Sequence, residues 1–391
     1  MAADKATQAF GRAIRGQFWL DPDVHFLNHG SFGATPRVVL QAQQDLQREM
    51  ERQPVAFLMP LPERIREAIR APASLLQCPP ERLVFVENAT SGVNAVLRTL
   101  RLAPDEAILT TDHAYGAVSN AIQYVCDRAG ARRIDVPIPF PLQSPEQVLE
   151  PLERALDQDG IRLAVLDHIT SKTGLVLPIG EMVARCRAAG VPVLVDAAHV
   201  PGHLPVDLAS LGADYWVGNL HKWAFAPKGC AVLYAAEDAP PPDALTVSHG
   251  AFDGFVDAFD WPGTKDPSSW LAAPNALAFM DGLGVERMRA HNQALAREAA
   301  DMLRSEWGTA AAAPPEMLAN LVTLEPPIRL PPTLEAALAL HDALLAEHGV
   351  EIPCMPFADR VWVRISAQVY NTLEDYEALL GAFRALSDRP F

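Results

Sequence analysis

No long apolar run occurs anywhere in the 391 residues, and about 18 in succession would be needed for a membrane-spanning helix. The opening MAADKATQAFGRAIRG also lacks the apolar heart of a secretory signal, so a cytoplasmic protein is expected. Basic residues are outnumbered, 32 against 48 acidic, for a formal charge of −16. Such a field argues against nucleic acid or an anionic membrane as a main partner, while leaving room for a small anion in a local positive pocket. Cysteine is sparse: Cys78, Cys126, Cys186, Cys230 and Cys354 form no CxxC pair and no cluster with histidine. Neither a disulfide framework nor a metal site is expected. The glycine patterns GxGxxG and GxxxxGK[ST] are missing as well, which weakens a nucleotide-binding reading.

What the chain does have starts near residue 83. LVFVEN (83–88) reads as a strand, and ATSGVNAVLRTL after it has helical spacing. AILTTD (107–112), YGAVSNAIQYVCDRAG and RRIDVPIP continue the alternation, followed by SPEQVLEPLERAL, a helix with a serine in capping position. LAVLDHIT, EMVARCRAAG, VPVLVDAA, ADYWVGN and GCAVLYA complete it. Continuous apolar strands separated by amphipathic helices predict a largely parallel sheet covered on both faces. Ligands of such sheets sit beyond the carboxyl ends of the strands. Between 237 and 270 the pattern lapses into EDAPPPDALTVSHG and FDWPGTKDP, connections long enough to be functional or to join domains. From about 270 helical spacing returns, and with NLVTLE, RVWVRIS and TLEDYEALLGAFRAL it predicts a smaller α/β unit.

The strand ends carry the polar residues. Thr90 and Ser91 open a helix after the first strand and could cradle an anion, although taken alone a plain helix cap is the better reading. His113 and Tyr115 follow the second strand, where a ring could stack on a planar cofactor or simply pack. Ser171 sits in the polar turn TSKTG. Asp196 closes the apolar run VPVLVD, with His199 three residues on. A carboxylate there needs a cation or a donor, and a protonated pyridine nitrogen or an ordinary salt bridge would each serve. Lys222, in GNLHKWAFAPKG, completes the set. A lysine in a low-dielectric pocket can lose its proton and form a Schiff base with an aldehyde. Lysine, acidic partner and anion cradle are what pyridoxal 5′-phosphate chemistry requires.

With these segments in view, the chain resembles the class V aminotransferase-like family of fold-type I pyridoxal phosphate enzymes, and within it the isopenicillin N epimerase group. FLNHGSFGATP, ENATSGVN, TTDHAYGA, SKTGLVLPI, VDAAHVPG, GNLHKWAFAPKG, WPGTKD and VRISAQVYNT carry the resemblance, in family order, over nearly the whole chain. It implies an α/β fold in which a large domain with a mostly parallel, seven-stranded sheet is joined to a smaller C-terminal α/β domain. Residues 1–25 would be an N-terminal segment packing with the small domain, 26–265 the cofactor domain and 266–391 the small domain. Lys222 would carry the cofactor as a Schiff base and act as catalytic base, with Asp196 paired to the pyridinium nitrogen. His199 would lie near the phenolic oxygen or under the aspartate. Ala89, Thr90 and Ser91 would bind phosphate with help from Asn219 and His221, and Ser171 would contact the phenolic oxygen. Either Tyr115 or His113 would stack on the ring, Tyr115 being slightly favoured. Thr264 would reach the neighbouring subunit's phosphate, which implies a homodimer with shared sites. Arg364 would grip the substrate carboxylate, a two-pronged contact that suits a guanidinium, and Asn28 and His29 would line the substrate pocket.

The resemblance implies an enzyme acting at the α-carbon of an amino acid or amino-acid-derived substrate, epimerase-like first. The alternative is a carbon–sulfur β-lyase of the hercynylcysteine sulfoxide lyase or cysteine desulfurase kind. Transamination uses the same core residues, and a non-catalytic binding module is the weaker reading given Lys222 and Asp196. Cysteine desulfurases carry a nucleophilic cysteine on a long loop ahead of the arginine. Here nine residues separate Cys354 from Arg364, and EIPCMPF lacks that loop, so Cys354 reads as an apolar filler. Lys172 and Lys228 read as solvent or turn lysines, and Lys265 has no assigned role.

Overall fold

The computed structural model describes residues 9–387; the first eight residues of the expected N-terminal segment and residues 388–391 of the expected small domain lie outside it. Seven apolar segments form the central sheet: β1 (Leu83–Val86), β2 (Ala107–Thr111), β3 (Arg132–Val136), β4 (Ile161–Asp167), β5 (Val193–Asp196), β6 (Tyr215–Asn219) and β7 (Ala231–Ala235). Their order is β1-β7-β6-β5-β4-β2-β3. Only β7 runs antiparallel to its neighbours β6 and β1; the other pairings are parallel. β1, β2, β5, β6 and β7 are buried along their whole length because helices cover both faces, whereas the edge strand β3 alternates exposed and buried residues. The parallel register sets the carboxyl ends side by side, with Asp167 of β4 opposite Asp196 of β5. One edge of the sheet therefore gathers the polar residues that each apolar run ends on.

A second sheet holds β8 (Leu321–Leu324), β9 (Cys354–Phe357) and β10 (Arg360–Ser366), antiparallel in the order β9-β10-β8. Helices Val285–Trp307, Leu334–His348 and Leu373–Ala385 close a separate apolar core with it, built on Val363, Ile365, Leu340 and Phe383. The N-terminal segment touches both units. His25–Phe26 pairs in parallel with Val350–Glu351, while the Phe18 ring packs on Phe225 and Tyr370. Among the described residues no helix is long and apolar enough to cross a membrane.

One local expectation is corrected. The helix Glu146–Leu156 starts behind Pro145 with no side-chain cap, so Ser144 does not cap it. Proline at that position already fixes the backbone for helix entry, which makes a capping hydroxyl dispensable. Lys228 is exposed in the bend before β7, as expected of a turn lysine, and its ammonium donates to the Gly33 carbonyl at 3.0 Å. That bond ties the Gly33 turn to the loop that bears Lys222.

Gly33 shows how close that approach is. It has φ 70°, and a Cβ there would lie 2.2 Å from the His221 carbonyl oxygen and 2.8 Å from that of Lys222. Gly33→Ala should destabilise the protein by roughly 2–4 kcal/mol, from positive-φ strain plus overpacking against rigid backbone. A lowered urea midpoint checks it; an unchanged midpoint would show that the segment can retreat freely.

Candidate active site

The chain leaves β6 at Asn219, crosses a short loop and returns as β7. The base of that loop is closed at His221, whose amide and Nδ1 both lie at the Cys230 carbonyl, 3.0 and 2.9 Å away. Lys222 is thereby pointed into a cavity of about 530 Å³ at the carboxyl edge of the sheet. Its side chain is partly buried, and its hydrogen-bond partner among the described residues is His199 Nε2 at 3.2 Å. Burial, then repulsion from the Arg364 guanidinium, lowers its pKa to about 8; the Asp196 charge opposes this.

Asp196 and Asp167 end adjacent strands and line the same cavity. Asp196 accepts the Ala198 amide at 3.0 Å. Two carboxyls this close and this buried cannot both ionise, and Asp167, raised well above the usual carboxylate range by burial and by Asp196, keeps its proton. Burial raises Asp196 as well, but the Ala198 amide and the Lys222 charge oppose it, so the negative charge of the pair is favoured there. Asp167 was absent from the sequence expectations, although LAVLD ends its apolar run as VPVLVD does.

Helix Ala89–Thr99 begins at the far end of the cavity. Its start is held by two asparagines: Asn88 Oδ1 accepts the Ser91 amide at 2.9 Å, and Asn219 Oδ1 accepts the Ala89 amide at 2.8 Å. Thr90, Ser91 and His221 line the cavity there, and the positive end of the helix dipole favours an anion beside them. Ser171 and Ser31 line the opposite side, where Arg364 of β10 donates to the Ser171 carbonyl and, at 3.3 Å, to Ser31 Oγ. Arg364 is 3% exposed, meets no carboxylate within ion-pairing distance among the described residues, and leaves its Nε without a partner.

The remaining expected residues divide. Tyr115 lines the cavity with its side chain 45% exposed, at the start of helix Gly116–Ala129. His113 does not: it is fully buried, bonded to Thr173 Oγ1 (2.8 Å) and the Ile138 carbonyl (3.1 Å), with its ring against Phe357. Burial lowers its pKa to about 4, so it is a neutral packing residue. His29 is likewise buried behind Lys222, with Nε2 at the Lys222 carbonyl (3.0 Å) and Nδ1 at the Tyr370 hydroxyl (2.7 Å). Asn28 is turned away to Glu351 at 2.8 Å. Thr264 is exposed and outside the cavity, whereas its neighbour Lys265 pairs with Glu87 at 2.5 Å on the cavity wall.

This donor set fits pyridoxal phosphate. A buried amine can bind its aldehyde, an unpaired buried carboxylate awaits a cation such as a pyridinium, and a helix start suits its phosphate. The unpaired guanidinium is left over for a second anion.

Comparison with known proteins agrees with that chemistry. The family model described as aminotransferase class-V matches residues 33–379. The chain is 33% identical over 398 residues to L-cysteine desulfhydrase of Arabidopsis thaliana, covering 92% of this chain and 87% of that protein. It is 33% identical over 396 residues to isopenicillin N epimerase of Amycolatopsis lactamdurans, covering 95% and 98%. Among solved structures, the apo cysteine desulfurase from Thermococcus onnurineus NA1 shares the fold, with a TM-score of 0.79 at 20% identity over 98% of this chain and 99% of that one.

Capture of an aldehyde by Lys222 should rise with pH and be half-maximal near pH 8, because only the neutral amine attacks. Arg364→Gln should move the midpoint upward by removing the repelling guanidinium. Both are read by borohydride trapping across a pH series; a midpoint near that of a free lysine would contradict the burial described here.

Proposed function

Because the chain belongs to the aminotransferase class-V family and its cofactor is pyridoxal 5′-phosphate, we propose that it is a carbon–sulfur lyase. Its substrate is a cysteine-type α-amino acid, from which it expels the β-sulfur. When bound, pyridoxal phosphate engages the substrate's amino group and draws electrons from the bonds at its α-carbon. Lys222 holds that cofactor, Asp196 keeps its ring nitrogen protonated, and Thr90, Ser91, Asn219 and His221 form the phosphate end. Ser171 and His199 face its phenolic oxygen, and Tyr115 covers the exposed side. Arg364 takes the substrate carboxylate in a two-pronged contact. The Lys222 amine removes the α-proton, the sulfur departs with the electron pair of its bond to the β-carbon, and water yields pyruvate and ammonia.

The observation that carries this reading is the set of proton and sulfur acceptors in the cavity. It offers one strong base, Lys222, and no thiol. Cys354 is buried beside Ile352, and burial pushes its thiol far above the usual range. Sulfur therefore leaves as free sulfide rather than being passed to an enzyme cysteine. The L-cysteine desulfhydrase relative supports the same substrate class.

Epimerisation is the second reading, and Tyr115 favours it: its phenol lines the cavity and could return a proton to the face away from Lys222. An isopenicillin N epimerase relative supports it. On either reading we propose a homodimer in which the exposed Thr264 serves the partner's site.

Incubation with L-cysteine in deuterated water tests the choice. Pyruvate and sulfide in equal amounts support the lyase. Inverted, α-deuterated cysteine without pyruvate would replace it by the epimerase, and a keto acid with aminated cofactor by a transaminase. Arg364→Ala should lower kcat/KM by roughly 2–5 kcal/mol, about 30- to 5,000-fold, as loss of a buried charge partner does.

A further inference from the structure

We infer that Trp223 is a positioning residue that acts through His199, fixing which ring nitrogen of that histidine carries the proton and so favouring the neutral form of the Lys222 amine. Trp223 and Lys222 are neighbours in the chain but reach His199 from two sides. The Trp223 indole Nε1 lies 3.4 Å from His199 Nδ1, and the Lys222 Nζ lies 3.2 Å from His199 Nε2. An indole N–H can only donate, so Nδ1 must accept. A neutral imidazole with Nδ1 accepting carries its proton on Nε2. His199 is 1% exposed, and burial above all holds it neutral.

The consequence for Lys222 is directional. A proton on Nε2 faces Nζ, and two donors cannot share one hydrogen bond, so the amine must offer its lone pair. That is the form that attacks an aldehyde. With the opposite tautomer, Nε2 would accept from an ammonium and stabilise the inert, charged lysine. After loading, the same Nε2–H is a fixed donor for the acceptor that takes the place of Nζ.

The indole is itself held. It is 1% exposed, wedged between the rings of His29 (4.9 Å between centroids) and His203 (4.3 Å). The other charged or titratable groups around Lys222 and His199 do not set the tautomer. Asp196 is bonded to Ala198, Arg364 to Ser171 and Ser31, His221 to Cys230, and His203 to the His199 carbonyl and the Asn320 amide. Asp167 and His168 belong to the neighbouring strand end, and Lys228 is occupied by Gly33.

The inference rests on Lys222 being the aldehyde-capturing amine, and the test separates the two claims. Imidazole nitrogen shifts of the full-length protein, before and after loading with pyridoxal phosphate, should show His199 protonated on Nε2 with Nδ1 accepting. Trp223→Phe keeps a ring between His29 and His203 but removes the donor. It should leave the shifts of those two histidines in place, mix the His199 tautomers, and raise the pH midpoint of borohydride-trapped aldehyde capture. A rise of roughly one pH unit is expected, a tenfold change in the neutral-to-charged ratio, the scale of one hydrogen bond. In a His199→Gln background the same substitution should move the midpoint no further. A wild-type His199 protonated on Nδ1 overturns the inference without touching the role of Lys222, as does a Trp223→Phe midpoint equal to wild type. If Trp223→Phe does not fold, the wild-type nitrogen shifts decide alone. Failure of Lys222 to capture any aldehyde would instead sink the cofactor-lysine role.

Discussion

An amine and a carboxylate line one cavity, with a guanidinium behind its wall at Ser31 and Ser171, and none is paired to another. Lys222, Asp196 and Arg364 each lack an ion-pair partner among the described residues, although Asp196 and Arg364 are buried and Lys222 is partly buried. Burying any one of them costs several kcal/mol unless its hydrogen bonds are met, and left free the first two would collapse into a salt bridge. Keeping them apart is the constraint that the rest of the molecule serves. The sheet fixes Asp196 at the end of a rigid strand, the second unit brings Arg364 on β10, and the stretch around His29 and Gly33 backs the lysine loop through His29 and the Lys228–Gly33 bond.

The separation also organises the electrostatics. Asp167 beside Asp196 confines the pair to one negative charge, which matches one ring cation. Arg364 depresses the lysine pKa while waiting for a carboxylate of its own. Each buried group therefore biases another toward the protonation state that binding needs. A cavity that is costly when empty of ligand is, for the same reason, selective for a ligand with an aldehyde, a basic ring nitrogen and two anionic ends.

Much of this was legible in the sequence, because a charged residue that ends an apolar run has few places to go. Lys222, Asp196 and the Thr90 helix start stood out that way, and Arg364 through the family resemblance of VRIS. Orientation was not legible. In TTDHAY the strand end turns within a few residues, and nothing in the letters says that His113 folds back on Phe357 while Tyr115 faces the cavity. Asn28 and His29 belong to a motif that does approach the lysine, yet they serve its backbone and Glu351 rather than the cavity. The bond from Lys228 to the Gly33 carbonyl was not legible either, because the two are 195 residues apart in the chain. Asp167 was within reach, since LAVLD and VPVLVD end alike.

The antiparallel return of β7 has a further consequence. The lysine loop joins two strands that are hydrogen-bonded neighbours, with Asn219 opposite Ala231, so both of its ends are pinned at one place in the sheet. Its interior is pinned as well, by the Ala226 amide on the Leu220 carbonyl at 3.1 Å and by Phe225 in a left-handed conformation at φ 62°. Most connections in α/β proteins tolerate insertions. This one has no slack: a residue added between 220 and 230 cannot bulge outward without rotating the lysine off its target. Diversification of this scaffold toward new substrates must therefore happen elsewhere, in the long 237–270 connection and the Arg364 side of the cavity, with the lysine loop kept at constant length.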